Sequence, residues 1–280
     1  MLHGWHTRLG HESVIVFAHG NGFCGRVYQP LHELLAQHHD LLLLDLPGHG
    51  NSPQSEFVGW NKTAEHLHQC IVQSQDVIAG RDVHSVAHSL GGMLSMLVAS
   101  THPTTFKSMV MLDPIMFPQP LLAVMQVVSK LGLTKQFHPF VKPTLRRRNG
   151  WQSTQQAFDY FHNRKIFKDW TEAALQSYVD HALKLVDSEV VLCCDPKIEA
   201  QWFATLPSGL WSAVAGLQLP VSILMGRDTY PFSLRASKHA QKRNANIDFS
   251  IVPGGHCFMQ EHAQSTADAV ITTLANYGSA

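Results

Sequence analysis

The chain reads as an α/β protein: a mostly parallel central sheet flanked by helices, with a helical cap inserted into it. Three observations predict this. Short apolar runs rich in β-branched residues alternate with helix-like stretches, the pattern of βαβ crossovers. The alternation stops between Phe117 and Leu219 and then resumes. A serine stands among small residues where a strand pattern meets a helix pattern, at Ala87-His88-Ser89-Leu90-Gly91.

Taken in order, Gly4 to Leu9 leaves room for one or two edge strands. Strand-like runs then fall at Ser13 to Ala18, Asp40 to Leu44, Val83 to His88, Ser108 to Leu112, Val221 to Met225 and Ile247 to Val252. Helical patterns lie between them, at Arg26 to Gln37, Trp60 to Ile78, Leu90 to Thr101, Ser233 to Lys242 and Ala263 to Tyr277. Strands alternating with helices in this way imply a mostly parallel sheet covered on both faces. The reading divides the chain into a core of residues 1–116 and 220–280 and a cap of residues 117–219. Phe117-Pro118-Gln119-Pro120 punctuates the entry to the cap and Leu217-Gln218-Leu219-Pro220 its exit. Within the cap Ser153 to Asn163, Thr171 to Leu185 and Pro196 to Thr205 read as helices, and no run there reads as a strand. Most of its aromatics, Phe137, Trp151, Phe161 and Tyr178 among them, are expected in the cap's own core, with a minority facing the serine to form an apolar pocket.

Val83 to Gly92 is a nucleophile elbow in outline. A serine at the apex of a tight strand-to-helix turn is held in a strained conformation with its hydroxyl exposed above a helix N-terminus. Ala87 takes the first glycine position of G-x-S-x-G and keeps that position small. Upstream, the strand Ser13 to Ala18 ends in His19-Gly20-Asn21-Gly22-Phe23, a loop able to turn a backbone N–H toward the serine. Asn21 or Gly22 would supply that donor, and Leu90 the second one, to bind an oxyanion. Downstream, Gly226-Arg227-Asp228 places a carboxylate past a strand end, and Pro253-Gly254-Gly255-His256 follows the next strand. Asp228 is the preferred acid and His256 the expected general base. Asp113, after the strand Ser108 to Leu112, is the alternative acid; otherwise it is a turn residue before Pro114.

With oxyanion loop, serine, acid and histidine in that order, the chain resembles the α/β-hydrolase superfamily over nearly its whole length. Asp45-Leu46-Pro47-Gly48-His49-Gly50-Asn51-Ser52 is similar to a loop of cap-bearing members such as esterases, carbon–carbon hydrolases and epoxide hydrolases. His19 to Phe23, Leu112-Asp113-Pro114 and Tyr178-Val179-Asp180-His181 resemble a bacterial group known only as α/β-fold hydrolases. The resemblance implies a Ser-His-Asp mechanism without a cofactor, on carboxylic esters of small to medium, largely apolar substrates. Carbon–carbon bonds of diketones, lactones, thioesters and perhydrolysis share the triad. A silent ligand-binding protein on the same fold is a reading of a different class. Dehalogenases and epoxide hydrolases that form an ester on aspartate are disfavoured by serine at the elbow.

Composition agrees. Lysine plus arginine equals aspartate plus glutamate at 21 each, so there is no bias toward nucleic acid or anionic membranes. Arg146-Arg147-Arg148 reads as a solvated basic face, with recognition of an anionic substrate group as the alternative. Five cysteines do not suggest a disulfide framework, and the N-terminus has no signal-peptide pattern, so a cytoplasmic location is expected. Cys24, Cys257 and the vicinal Cys193-Cys194 read as small buried hydrophobes rather than nucleophiles. The 19 histidines read mostly as surface residues. No Cys or His spacing fits zinc, so no metal is expected.

Overall fold

The computed structural model describes residues 2–53, 56–131, 133, 139–162 and 164–278. The expected strands are β1 (Gly4–His6), β2 (Ser13–Ala18), β3 (Asp40–Leu44), β4 (Asp82–His88), β5 (Ser108–Leu112), β9 (Val221–Gly226) and β10 (Ile247–Val252). They form one sheet in the order β1-β3-β2-β4-β5-β9-β10. Only β1 is antiparallel to its neighbour, so a single edge strand precedes the parallel sheet.

The inner strands are buried on both faces while the edge strands β1 and β10 are largely exposed, and the buried residues alternate between two cores as the pleat requires. Val14, Val16, Met109, Met111, Ile223 and Met225 face one side. There they meet helices α2 (Trp60–Gln73), α4 (Leu90–Thr101) and α11 (Pro231–Arg243). Ile15, Phe17, Leu41, Leu43, Val110 and Leu112 face the other. They are covered by α1 (Gln29–Leu35) and α12 (Ala263–Gly278). Pro30 in the first turn of α1 fixes its start, where a missing N–H costs nothing. The expected helix from Trp60 to Ile78 is interrupted at Ser74, which leaves α3 as Gln75–Ile78.

From β2 the chain moves outward to β3, then crosses back to β4 on the other side of β2. Such a switch opens a crevice at the carboxyl ends of the two strands, where ligands bind in open α/β sheets. The glycine loop after β2 and Ser89 after β4 both stand there.

The insertion is not purely helical. It carries α5 (Gln119–Lys130), α6 (Val141–Leu145), α7 (Thr154–Phe161), α8 (Glu172–His181) and α9 (Pro196–Ala204). It also carries an antiparallel sheet of β6 (Gly150–Trp151), β7 (Leu183–Val186) and β8 (Glu189–Leu192). The expected helix from Thr171 thus ends at His181, and Leu183 to Val186 turns back through Asp187-Ser188, both at positive φ, 46° and 67°. Hairpin turns of that shape are usually signalled by Asn-Gly or Asp-Gly; here the glycine is absent. Ser153 caps α7, its Oγ accepting the Gln156 N–H at 3.1 Å. Asn163 and Phe137 lie outside the described residues. Helix α10 (Leu210–Gly216) packs on α4 and α11, and its Trp211 joins the core.

Candidate active site

Ser89 sits at φ 51° and ψ −112° between β4 and α4, a conformation that a non-glycine residue holds only under constraint from its surroundings. The constraint is visible. The Ser89 N–H donates to the Leu112 carbonyl at 3.1 Å. Gly91 lies so close to β2 that a Cβ there would stand 2.1 Å from the Ala18 carbonyl oxygen.

His256 reaches Ser89 from the loop after β10. Its Nε2 lies 2.9 Å from Ser89 Oγ, and its Nδ1 lies 2.7 Å from Asp113 Oδ1. With the proton on Nδ1 donated to the carboxylate, Nε2 is left to accept the serine proton. Asp113 is fully buried, and three donors converge on it. Besides His256 these are Thr229 Oγ1 at 2.6 Å and the Gly226 N–H at 2.8 Å. It too holds a positive φ, 48°, which Asp tolerates better than most residues.

Asp228, the preferred acid on sequence, does not take this place. Its side chain is exposed, and its backbone N–H donates to the Gly254 carbonyl at 3.0 Å. The turn after β9 brings the next side chain inward instead, so Thr229 is buried against Asp113 while Asp228 points to solvent.

The glycine loop also differs in detail from expectation. The Gly22 N–H is already committed, donating to His49 Nε2 at 3.0 Å. The N–H groups of Asn21 and Leu90 donate to no protein acceptor among the described residues. Those two are therefore the available donors beside Ser89. The Asn21 side chain is tied to the insertion, its Nδ2 donating to the Glu199 carbonyl at 3.0 Å.

Behind the loop lies a hydrogen-bonded layer that sequence reading did not find. The Gly20 N–H donates to Tyr28 Oη at 3.0 Å, and Tyr28 Oη donates to His88 Nδ1 at 2.7 Å. His88 Nε2 then donates to the His256 carbonyl at 3.0 Å. The strut links the glycine loop to the backbone of His256. His19 Nδ1 donates to the Gly20 carbonyl at 2.7 Å, while its Nε2 accepts the Leu46 N–H at 2.9 Å. His49 Nδ1 donates to the Pro47 carbonyl at 3.0 Å. Contrary to the surface reading, His19, His49 and His88 are buried. Burial lowers His19 to about 4 and His49 to about 3, and His88 well below the usual imidazole range, because a charged ring would be poorly solvated there. All three are neutral near pH 7. The Asp45-Leu46-Pro47-Gly48-His49 loop thus serves as a buttress, its Asp45 accepting N–H groups from Gly25 and Asn51.

Cys24 and Cys257 are buried, and burial pushes both thiols far above their ordinary range; neither is disposed to act as a thiolate. Above Ser89 opens a cavity of about 860 Å³ lined by apolar side chains that include Phe117, Leu121, Met125, Phe140, Trp202 and Phe232. From the segment between β5 and β9, Tyr178 and Trp170 pack edge-on against Phe23 of the glycine loop, with centroids 5.7 and 5.6 Å from its ring, and Phe161 and Phe167 pack on Tyr178 in turn. No group of three or more potential metal-ligating side chains occurs among the described residues. No helix of theirs is long and apolar enough to cross a membrane.

Known proteins resemble the chain in sequence and fold. Over 103 residues the chain is 30% identical to a pimeloyl-[acyl-carrier protein] methyl ester esterase of Aeromonas salmonicida, covering 37% of this chain and 38% of that protein. The chain therefore spans well under half the length of that relative. Among solved structures, a peroxisomal alpha-beta-hydrolase from Saccharomyces cerevisiae superposes with a TM-score of 0.77 at 16% identity, covering 95% of this chain and 77% of that one. E-2-(acetamidomethylene)succinate hydrolase superposes with a TM-score of 0.74 at 18% identity, covering 100% of both chains. At those identities the likeness is one of fold. The sequence model of the alpha/beta hydrolase family matches residues 15–269, nearly the whole chain, and the chain belongs to that family.

Proposed function

We propose that the protein is a serine hydrolase of carboxylic esters that works through Ser89, His256 and Asp113. The observation that carries this reading is the unbroken line from Asp113 Oδ1 to His256 to Ser89 Oγ, with contacts of 2.7 and 2.9 Å. Ser89 Oγ attacks the ester carbonyl as His256 Nε2 takes its proton. The carbonyl oxygen becomes an oxyanion between the N–H groups of Asn21 and Leu90. Loss of one such donor typically costs about 3 kcal/mol in the barrier. His256 then protonates the leaving alcohol, and a water molecule repeats the cycle on the acyl-enzyme. Asp113 holds the proton of His256 on Nδ1 and stabilises the imidazolium formed in each half-reaction.

The apolar lining of the cavity supports esters of small to medium size with a largely hydrocarbon body. The esterase name of the relative from Aeromonas salmonicida supports the same bond class. A panel of p-nitrophenyl esters from acetate to dodecanoate tests the reading, together with a fluorophosphonate that labels activated serines. Hydrolysis and labelling are expected in the wild type, and both are expected to vanish in Ser89→Ala while folding is kept. Undiminished turnover by Ser89→Ala would remove the serine from the mechanism.

A further inference from the structure

Four cationic side chains and one carboxylate line the cavity above Ser89, an excess of three positive charges in a chain whose overall charge is zero. The carboxylate, Glu199, is already matched: Arg147 Nη1 donates to its Oε2 at 2.6 Å, and the pair is largely buried. Arg148, Arg164 and Lys165 have no carboxylate within ion-pair distance among the described residues. All three are exposed toward solvent while lining the same cavity as the serine, so they stand at its mouth.

The two arginines are held in place without being neutralised. Arg164 lies over the Tyr160 ring, its Cζ 4.4 Å from the centroid, and Arg148 lies 5.3 Å from the same centroid. Arg148 also donates from Nε to the Gly150 carbonyl at 2.8 Å and from Nη2 to Gln156 Oε1 at 3.1 Å. Both acceptors are uncharged, and Nη1 is left over. Guanidinium groups that stack on aromatic rings keep their outer N–H edges for a planar oxyanion. Like charges gathered at the mouth of a cleft with apolar walls focus a field that draws in the opposite charge.

We propose that Arg148, Arg164 and Lys165 form an anion-selecting subsite, and that the preferred substrate is an ester with a hydrocarbon body and a carboxylate or phosphate remote from the scissile carbonyl. This rests on the hydrolase reading above and specifies its substrate class. The apolar lobe takes the hydrocarbon, the triad takes the ester, and the cationic mouth takes the anion.

Binding to Ser89→Ala, which does not turn over, tests the subsite apart from catalysis. Calorimetry would compare monoethyl suberate, diethyl suberate and the ethyl ester of 8-phosphooxyoctanoate at low salt. At least one anionic compound is expected to bind about tenfold more tightly than the neutral diester, the size of a charge-assisted contact, and the better of the two identifies the anion. The advantage should shrink as salt is raised and fall below about threefold when Arg148→Gln and Arg164→Gln are added. Because both side chains are exposed, the fold should survive, as circular dichroism would verify, and Arg164→Gln alone provides a milder second variant. Equal binding of anionic and neutral esters, no binding of any of them, or an advantage that persists without the arginines would overturn the subsite. Failure of the wild type to hydrolyse neutral p-nitrophenyl esters would count instead against the triad reading.

Discussion

Two strands of the sheet, β5 and β9, lie side by side and each is followed within two residues by an aspartate, yet the two carboxylates live in opposite environments. Asp113 after β5 is fully buried, accepts three hydrogen bonds and touches His256. Asp228, two residues beyond the end of β9, is exposed, and the carboxylate that His256 bonds is that of Asp113. The difference arises from backbone direction over a few residues. Asp113 turns inward through a positive φ, whereas the turn after β9 presents Thr229 inward and Asp228 outward. Strand-end position nominates candidates; the dihedral angles of the last residues select among them.

The largest effect that would break this comparison is expected at the acid. Asp113→Asn should lower kcat by about 10⁴-fold, because an amide no longer holds the proton on Nδ1 of His256 or stabilises the imidazolium. Asp228→Asn, at an exposed position, should leave kcat within about twofold. Steady-state kinetics of the two variants on one chromogenic ester, with near-ultraviolet circular dichroism to check folding, decides between the strands; a larger loss from Asp228→Asn would return the acid to β9.

A smaller effect is expected on the other side of the serine. Tyr28→Phe keeps the ring but removes the hydroxyl that receives the Gly20 N–H and donates to His88. Leaving two buried groups unpaired costs on the order of 1–3 kcal/mol each. If the strut positions the oxyanion loop, kcat should fall roughly tenfold with KM nearly unchanged. A loss of thermal stability with kcat intact would make the strut merely structural.

The smallest effect per group concerns acid stability. Burial lowers His19 to about 4 and both His32 and His49 to about 3; in the unfolded chain each would return to about 6.5. Below that value the unfolded state binds more protons than the native one. Stability should therefore be complete above about pH 6.5 and decline as pH falls toward 4, by about 1.4 kcal/mol per pH unit for each histidine. His32 packs against Phe17 and Tyr28 with no hydrogen-bond partner for either ring nitrogen among the described residues. His32→Leu should accordingly flatten the dependence, as thermal midpoints across pH would reveal; an unchanged slope would argue that His32 is not buried neutral.

These contrasts also mark what the sequence carries. The parallel sheet was legible because its strands are short runs, apolar as in Ser13 to Ala18 or alternating as in Ile247 to Val252, bounded by turn residues, and these two match the observed strands end to end. Ser89 and His256 were legible because a small-x-Ser-x-Gly turn and a glycine-flanked histidine leave a local trace. The hairpin of β7 and β8 was not, since Asp187-Ser188 adopts positive φ without the glycine that would announce it. Nor was the strut: Tyr28, His88 and His256 are far apart in sequence and meet only through the fold. His88 gave a faint signal, a polar residue at the end of a buried strand. The commitment of the Gly22 N–H to His49 likewise depends on the approach of a separate loop.

The hydrogen bond between His256 and the carboxylate is the feature on which the account turns, and proton NMR observes it directly. A strongly hydrogen-bonded imidazole Nδ1–H gives a resonance far downfield of the amide region. It is expected in the wild type and in Asp228→Asn, and should be lost or moved markedly upfield in Asp113→Asn. A resonance that persists in Asp113→Asn but disappears in Asp228→Asn would contradict the Ser89-His256-Asp113 assignment.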